Sequence, residues 1–163
     1  VANADKIGAA IERLIASGKV SEAVMFDNKY QPIEGTNPPQ YSTPYVEALE
    51  QELWPIQEPL LASDERMVFC AAVDRNAYLP VHNKKYSHPQ RPNDPEWNTA
   101  NARNKRVFDD RAGLSAARNT RPYMIQYYPR DMGGGHIVMM WEIVAPIRVL
   151  GRHWGGFRVA YRT

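Results

Sequence analysis

Apolar residues at Ile7, Ile11, Leu14 and Ile15 fall at i, i+4, i+7 and i+8, which predicts an amphipathic helix over residues 5–17 stopped by Gly18. Residues 20–26 read either as a short helical continuation or as a first strand. The next stretch, 30–44, contains Pro32, Gly35, Pro38, Pro39 and Pro44 and is expected to be irregular. Helical spacing returns at 45–54 through Val46, Leu49 and Leu53, with Pro55 disturbing it. Residues 67–73 are apolar without alternation, as in a strand covered on both faces. A turn at Asp74, Arg75 and Asn76 then leads to an expected returning strand over 77–82. Residues 86–95 form a proline-rich loop. Asp94-Pro95-Glu96 reads as a helix start, with a capping carboxylate, proline in the first position and an acid in the first turn. That helix is expected to continue past Asn104 to Val107.

Three more strands are expected at 123–128, 137–143 and 157–161. The stretch 136–158 is the most telling: two β-rich runs separated by a turn at Leu150, Gly151 and Arg152, with a second glycine pair at Gly155 and Gly156. Asp131-Met132-Gly133-Gly134-Gly135 lacks the Lys-Ser/Thr of a phosphate loop and precedes a strand, so it reads as a hairpin turn. The order of elements predicts an α+β fold, an antiparallel sheet flanked by helices with a long helix at the N-terminus. One sheet face packs on helices; the other, with residues 84–121, encloses a pocket.

At 163 residues the chain is expected to form one domain, with residues 1–18 as the helix and 20–162 as the core. Twenty basic and 18 acidic residues give a net charge of +2, which calls for no polyanionic partner and argues against nucleic-acid binding. No apolar run reaches the length of about 18 residues that spans a bilayer, and no signal-peptide pattern is seen. The chain reads as a module excised from a longer protein. The one cysteine, Cys70, lies in an apolar run and is expected to be an inert buried thiol. Its free state leans towards the cytoplasmic side of a membrane, with the periplasm as the alternative.

Several blocks carry a family resemblance. Val73-Asp74-Arg75-Asn76-Ala77-Tyr78-Leu79-Pro80-Val81-His82-Asn83 resembles the Asp-x-Asn-Gly-Tyr-x-Pro-x-His-Asn signature of sensor domains in bacterial methyl-accepting chemotaxis proteins. The blocks 103–110 and 126–131, Ala145-Pro146-Ile147 and Gly151-Arg152-His153-Trp154-Gly155 are similar to further blocks of that family, so the resemblance covers residues 20–162. It implies a PAS-like, single-Cache sensory module fused to a coiled-coil signalling domain and coupled to the chemotaxis histidine kinase. Ala77 departs from the pattern, standing where these domains place glycine, and alanine tolerates a positive φ poorly.

Arg103 and Arg106, three apart on an expected helix, and Arg130 offer planar charged forks suited to a carboxylate. Tyr78 and Tyr127 add hydroxyl donors, and Asp131 lies near. The expected ligand is a small organic acid. The structural alternative has these arginines pairing with Asp109, Asp110 and Asp131 to pin the loop. Trp97, Phe108, Tyr127, Trp141 and Trp154 either wall the pocket or form ordinary core, Trp154 sealing the end of the sheet. His82, His88, His136 and His153 show no metal-ligand spacing, and no cofactor is expected. Ser115 lacks the second glycine of a nucleophile elbow, and no catalytic constellation stands out, so the protein reads as non-enzymatic. Two rival readings stay open: a haem- or flavin-based redox or gas sensor in the same fold, and a ligand-free dimerisation module. The first helix is expected either to join a homodimer or only to cover the sheet.

Overall fold

The computed structural model describes residues 1–163. It holds five α-helices: α1 (Ala2–Ala16), α2 (Glu22–Met25), α3 (Val46–Ala62), α4 (Pro95–Asn101) and α5 (Arg111–Arg118). Four long strands, β3 (Met67–Asp74), β6 (Met124–Asp131), β7 (Ile137–Val149) and β8 (Arg152–Arg162), form one antiparallel sheet in the order β3-β8-β7-β6. Two small ladders stand apart from it. One pairs β1 (Gln31–Pro32) with β2 (Tyr41–Ser42), and the other pairs β4 (Tyr78–Leu79) with β5 (Arg106–Val107). The fold is therefore α+β with an antiparallel sheet and a helix at the N-terminus. No helix is long and apolar enough to cross a membrane.

The helix α1 turns Ile7, Ile11 and Leu14 onto the sheet, and Gly18 at φ +78° ends it. Gly8 permits close approach: a β-carbon there would lie 2.4 Å from the Arg148 carbonyl oxygen of β7. The apolar face of α1 is thus used on its own sheet. Against the expectation at Pro55, α3 runs through both Pro55 and Pro59. Both prolines and Gln51, whose carbonyl Pro55 leaves without its helical partner, lie on the exposed side of the helix. The stripe Leu49, Leu53, Gln57 stays buried and holds the helix down. Residues 22–25 resolve as helix, with the Ser21 hydroxyl accepting from the Val24 amide at 3.1 Å.

Residues 77–82 do not return along β3. The Asp74 carboxylate accepts from the amides of Asn76 (2.9 Å) and Tyr78 (3.0 Å), and Ala77 takes φ +65°. This turn keeps the left-handed geometry despite alanine, and sends Tyr78 and Leu79 to pair with β5 instead. The helix at Asp94 forms, its carboxylate accepting from the Trp97 amide, but it stops at Asn101 rather than reaching Val107. Lys105, at φ +60°, then turns the chain into β5. Residues 111–118, where no helix was expected, form α5 with Asp110 as cap. Gly113 is required there, because a β-carbon would fall 1.6 Å from the Phe108 carbonyl oxygen.

The closing hairpin matches the expectation at Leu150 and Gly151, both at positive φ between Val149 and Arg152. Gly155 and Gly156 do not interrupt the second run. They lie inside β8, where β-carbons would strike the carbonyl oxygens of Val73 (1.8 Å) and Ala116 (2.5 Å), so they are sites of close backbone approach. Trp154 is buried at the end of the sheet, its indole N–H donating to the Met25 carbonyl at 2.9 Å.

Candidate anion site

Strand alternation places the site. On β6, Gln126, Tyr128 and Arg130 point away from solvent while Ile125 and Tyr127 point out. Arg158 and Glu142 join the inward face from β8 and β7. Over this face the ladder β4–β5 and the α4–α5 segment close a cavity of about 110 Å³, lined among others by Arg103, Arg106, Phe108, Tyr128, Arg130 and Asp131. Four of the six residues singled out in the sequence, Arg103, Arg106, Arg130 and Asp131, therefore meet here.

The other two lie elsewhere. Tyr127 stands half-exposed on the outer face, its ring 4.9 Å from that of Trp141. Tyr78 is buried on the helix side, donating to the Tyr41 carbonyl at 2.7 Å and packing on Tyr30. Tyr30 in turn donates to Asp74, so this group anchors the 30–44 segment rather than the cavity. Of the remaining aromatics, Phe108 lines the cavity, and Trp97 lines a more open neighbouring cleft of about 460 Å³ that Arg130 also borders.

Each arginine is held by its surroundings. Nη1 of Arg103 donates to the carbonyls of Thr99 and Asp131, both at 2.8 Å. Arg106, on β5, donates more loosely to Thr99 at 3.4 Å. The guanidinium carbons of these two lie 5.1 and 4.6 Å from the ring centre of Phe108. Arg130 is sandwiched between Phe69 at 4.7 Å and Tyr86 at 4.5 Å. Arg158 differs, because Glu142 holds it in a two-pronged pair at 2.7 and 3.0 Å.

The molecule has four ion pairs, and none includes Arg103, Arg106 or Arg130. The structural alternative, in which these arginines pair with Asp109, Asp110 and Asp131, is not what forms. The Asp110 carboxylate caps α5 through the Gly113 amide, and that of Asp131 accepts from the Gly133 amide. Arg103 and Arg130 are 6% and 4% exposed, yet Nε of Arg103 and both Nε and Nη2 of Arg130 have no hydrogen-bond partner. Burial, together with Arg130 and Arg106 close by, pushes the Arg103 pKa well down. Burial likewise lowers Arg106 to about 10, Asp131 opposing and Arg130 assisting. A guanidinium stays charged under such pressure. The unfavourable charge therefore remains as a destabilisation that a bound anion would relieve.

His82 lies fully buried beside this cluster, its ring centre 5.2 Å from that of Phe69. Burial first, then Arg130, Arg103, Arg158 and Arg106, force its pKa well below 6.5. Its Nδ1 accepts from the Asn83 amide at 2.8 Å, as the neutral ring requires. Burial raises the Tyr128 hydroxyl to about 12, with Arg158 opposing. Cys70, also buried, donates to the Gln57 carbonyl, and its thiol is pushed up to about 11. No three His, Cys, Asp or Glu side chains converge closely enough to hold a metal ion. With the Asp110 and Asp131 carboxylates in its lining held by backbone amides, the cavity offers an excess of arginine charge and unused N–H donors.

No family model matches this chain, and no curated protein matches it.

Proposed function

We propose that this is a non-enzymatic PAS/Cache-like sensory domain that binds a compact anion, a small organic acid, between Arg103, Arg106 and Arg130. The observation that carries the reading is the set of three clustered arginines that form no ion pair, the nearby carboxylates of Asp110 and Asp131 being taken up by backbone amides, with buried N–H groups of Arg103 and Arg130 unused. A buried polar group without a partner costs free energy, and a buried unpaired charge costs more. A carboxylate with two oxygens answers both deficits, because a guanidinium fork donates to it in parallel. At about 110 Å³ the cavity suits an acid of a few heavy atoms and is too small for a porphyrin or a flavin.

The sensory role rests on the resemblance of residues 20–162 to the sensor domains of bacterial methyl-accepting chemotaxis proteins. In that role, anion binding biases the domain between two arrangements and a signalling domain outside this chain carries the bias to the chemotaxis kinase. Such a signal needs different affinities in the two arrangements. The test is a thermal-shift screen of the purified chain against acetate, malonate, other small carboxylates, phosphate and sulfate, repeated with Arg103→Ala and Arg106→Ala. Stabilisation by one class of anion, lost in folded variants, is the expected result. No stabilisation by any anion would refute the reading.

A further inference from the structure

Eight large hydrophobic residues are exposed on this molecule, and six of them, Tyr123, Ile125, Tyr127, Ile137, Trp141 and Ile143, belong to one end of the sheet on β6, β7 and the residue before β6. The ladder pairs Ile125 with Ile143 and Tyr127 with Trp141, and Pro129 with Met139 beside them. These three cross-strand pairs carry no charge. The same face of β7 continues through Ala145, Ile147 and Val149, and there it is buried in the core that α1 belongs to. The helical layer covers one half of this sheet face and leaves the other half bare.

We infer that the bare β6–β7 face is a self-association surface, on which a second copy of this chain packs its own β6–β7 face about a two-fold axis. Area supports that occupant. Each of the six side chains is between 43% and 59% exposed, so each offers roughly 100 Å² and the six offer about 600 Å². Two copies then bury about 1,200 Å², the lower end of the range for specific interfaces. Chemistry supports it too. The one charge in this ladder face, Asp131 opposite Ile137, lies at its end, so the centre has nothing to match an acidic or basic partner, whereas a two-fold axis sets the patch against itself. Tyrosine and tryptophan at its centre, with charge only at the end of the ladder, is the composition of an interface core and rim. Pro129, which has no N–H to donate, sits within the edge strand β6 and disfavours edge-to-edge extension, so the packing is face to face.

The test is sedimentation equilibrium of the full chain from 1 to 200 μM beside Ile125→Lys and Trp141→Lys. The substituted side chains already meet solvent, so both variants should keep the wild-type circular dichroism and any anion-induced thermal shift. A wild-type dimer whose dissociation constant rises at least 100-fold in each variant is the expected result, since each substitution occurs twice across the axis. A wild-type monomer at 200 μM would overturn the inference, including one that adsorbs to lipid vesicles or to an amphipathic helix. Dimers unaffected by both substitutions would overturn it as well.

Discussion

Arg130 and Arg158 share the inward face of the sheet, but only Arg158 has a carboxylate, and the contrast sets opposite expectations for the two. Replacing Arg130 with methionine keeps the stem and removes an unpaired buried charge. We expect Arg130→Met to raise the anion-free melting temperature by a few degrees, about 1 kcal/mol, while abolishing stabilisation by anions. Glu142→Gln should do the reverse, costing about 3–5 kcal/mol because Arg158 is left buried and unpaired. Calorimetry on both variants measures this; a destabilised Arg130→Met would count against an unpaired charge at that position. His82 adds a pH dependence. Its native pKa lies below the 6.5 of the unfolded chain, so acidification protonates the unfolded state first. Stability should be intact above about pH 6.5 and fall below it by at most about 1.4 kcal/mol per unit from this residue. Urea unfolding at pH 7.5, 6.5 and 5.5 should show a steeper loss in wild type than in His82→Asn, which keeps an acceptor for the Asn83 amide. Parallel slopes would show that His82 is not held neutral.

The arginines were legible as single residues because their chemistry is local, whereas the elements that carry them were less so. Sequence spacing suggests a helix bearing Arg103 and Arg106, yet the two meet through a strand ladder, since Lys105 breaks the helical path and Leu79 pairs with Arg106. Tyr127 and Arg130 are three apart and so fall on opposite faces of a strand; period-two alternation would have chosen Tyr128 with Arg130. The long strands, the first helix and the Leu150–Gly151 turn were readable because burial pattern and turn chemistry act over a few residues. The roles of Gly155 and Gly156 were not, because the atoms they admit, the Val73 and Ala116 carbonyls, are distant in sequence. That contact yields a prediction for α5. Gly156→Ala should push α5 from the sheet, cost about 1–3 kcal/mol as overpacking, and speed amide exchange over residues 111–118. Unchanged exchange there would mean that the approach of α5 to β8 is not tight.

For the molecule as a whole, one sheet serves two surfaces. Its inward face gathers arginines under a lid of short elements, and its opposite face is half covered by α1 and α3 and half bare. The α+β class with an antiparallel sheet was readable from the order of elements. That residues 84–121 cover the other face was readable as well, but the ladder that shapes this cover was not, because β4 and β5 are two residues each, with no periodicity to detect. Anion binding in the arginine cavity is the property on which the sensory role depends. The most direct measurement is the unfolding free energy of the wild-type chain in malonate, phosphate or sulfate against chloride at equal ionic strength, with Arg130→Met alongside. An anion at 100 times its dissociation constant should add about 2.7 kcal/mol to wild type and nothing to the variant. Identical unfolding of wild type in every salt would contradict anion binding by the arginine cavity.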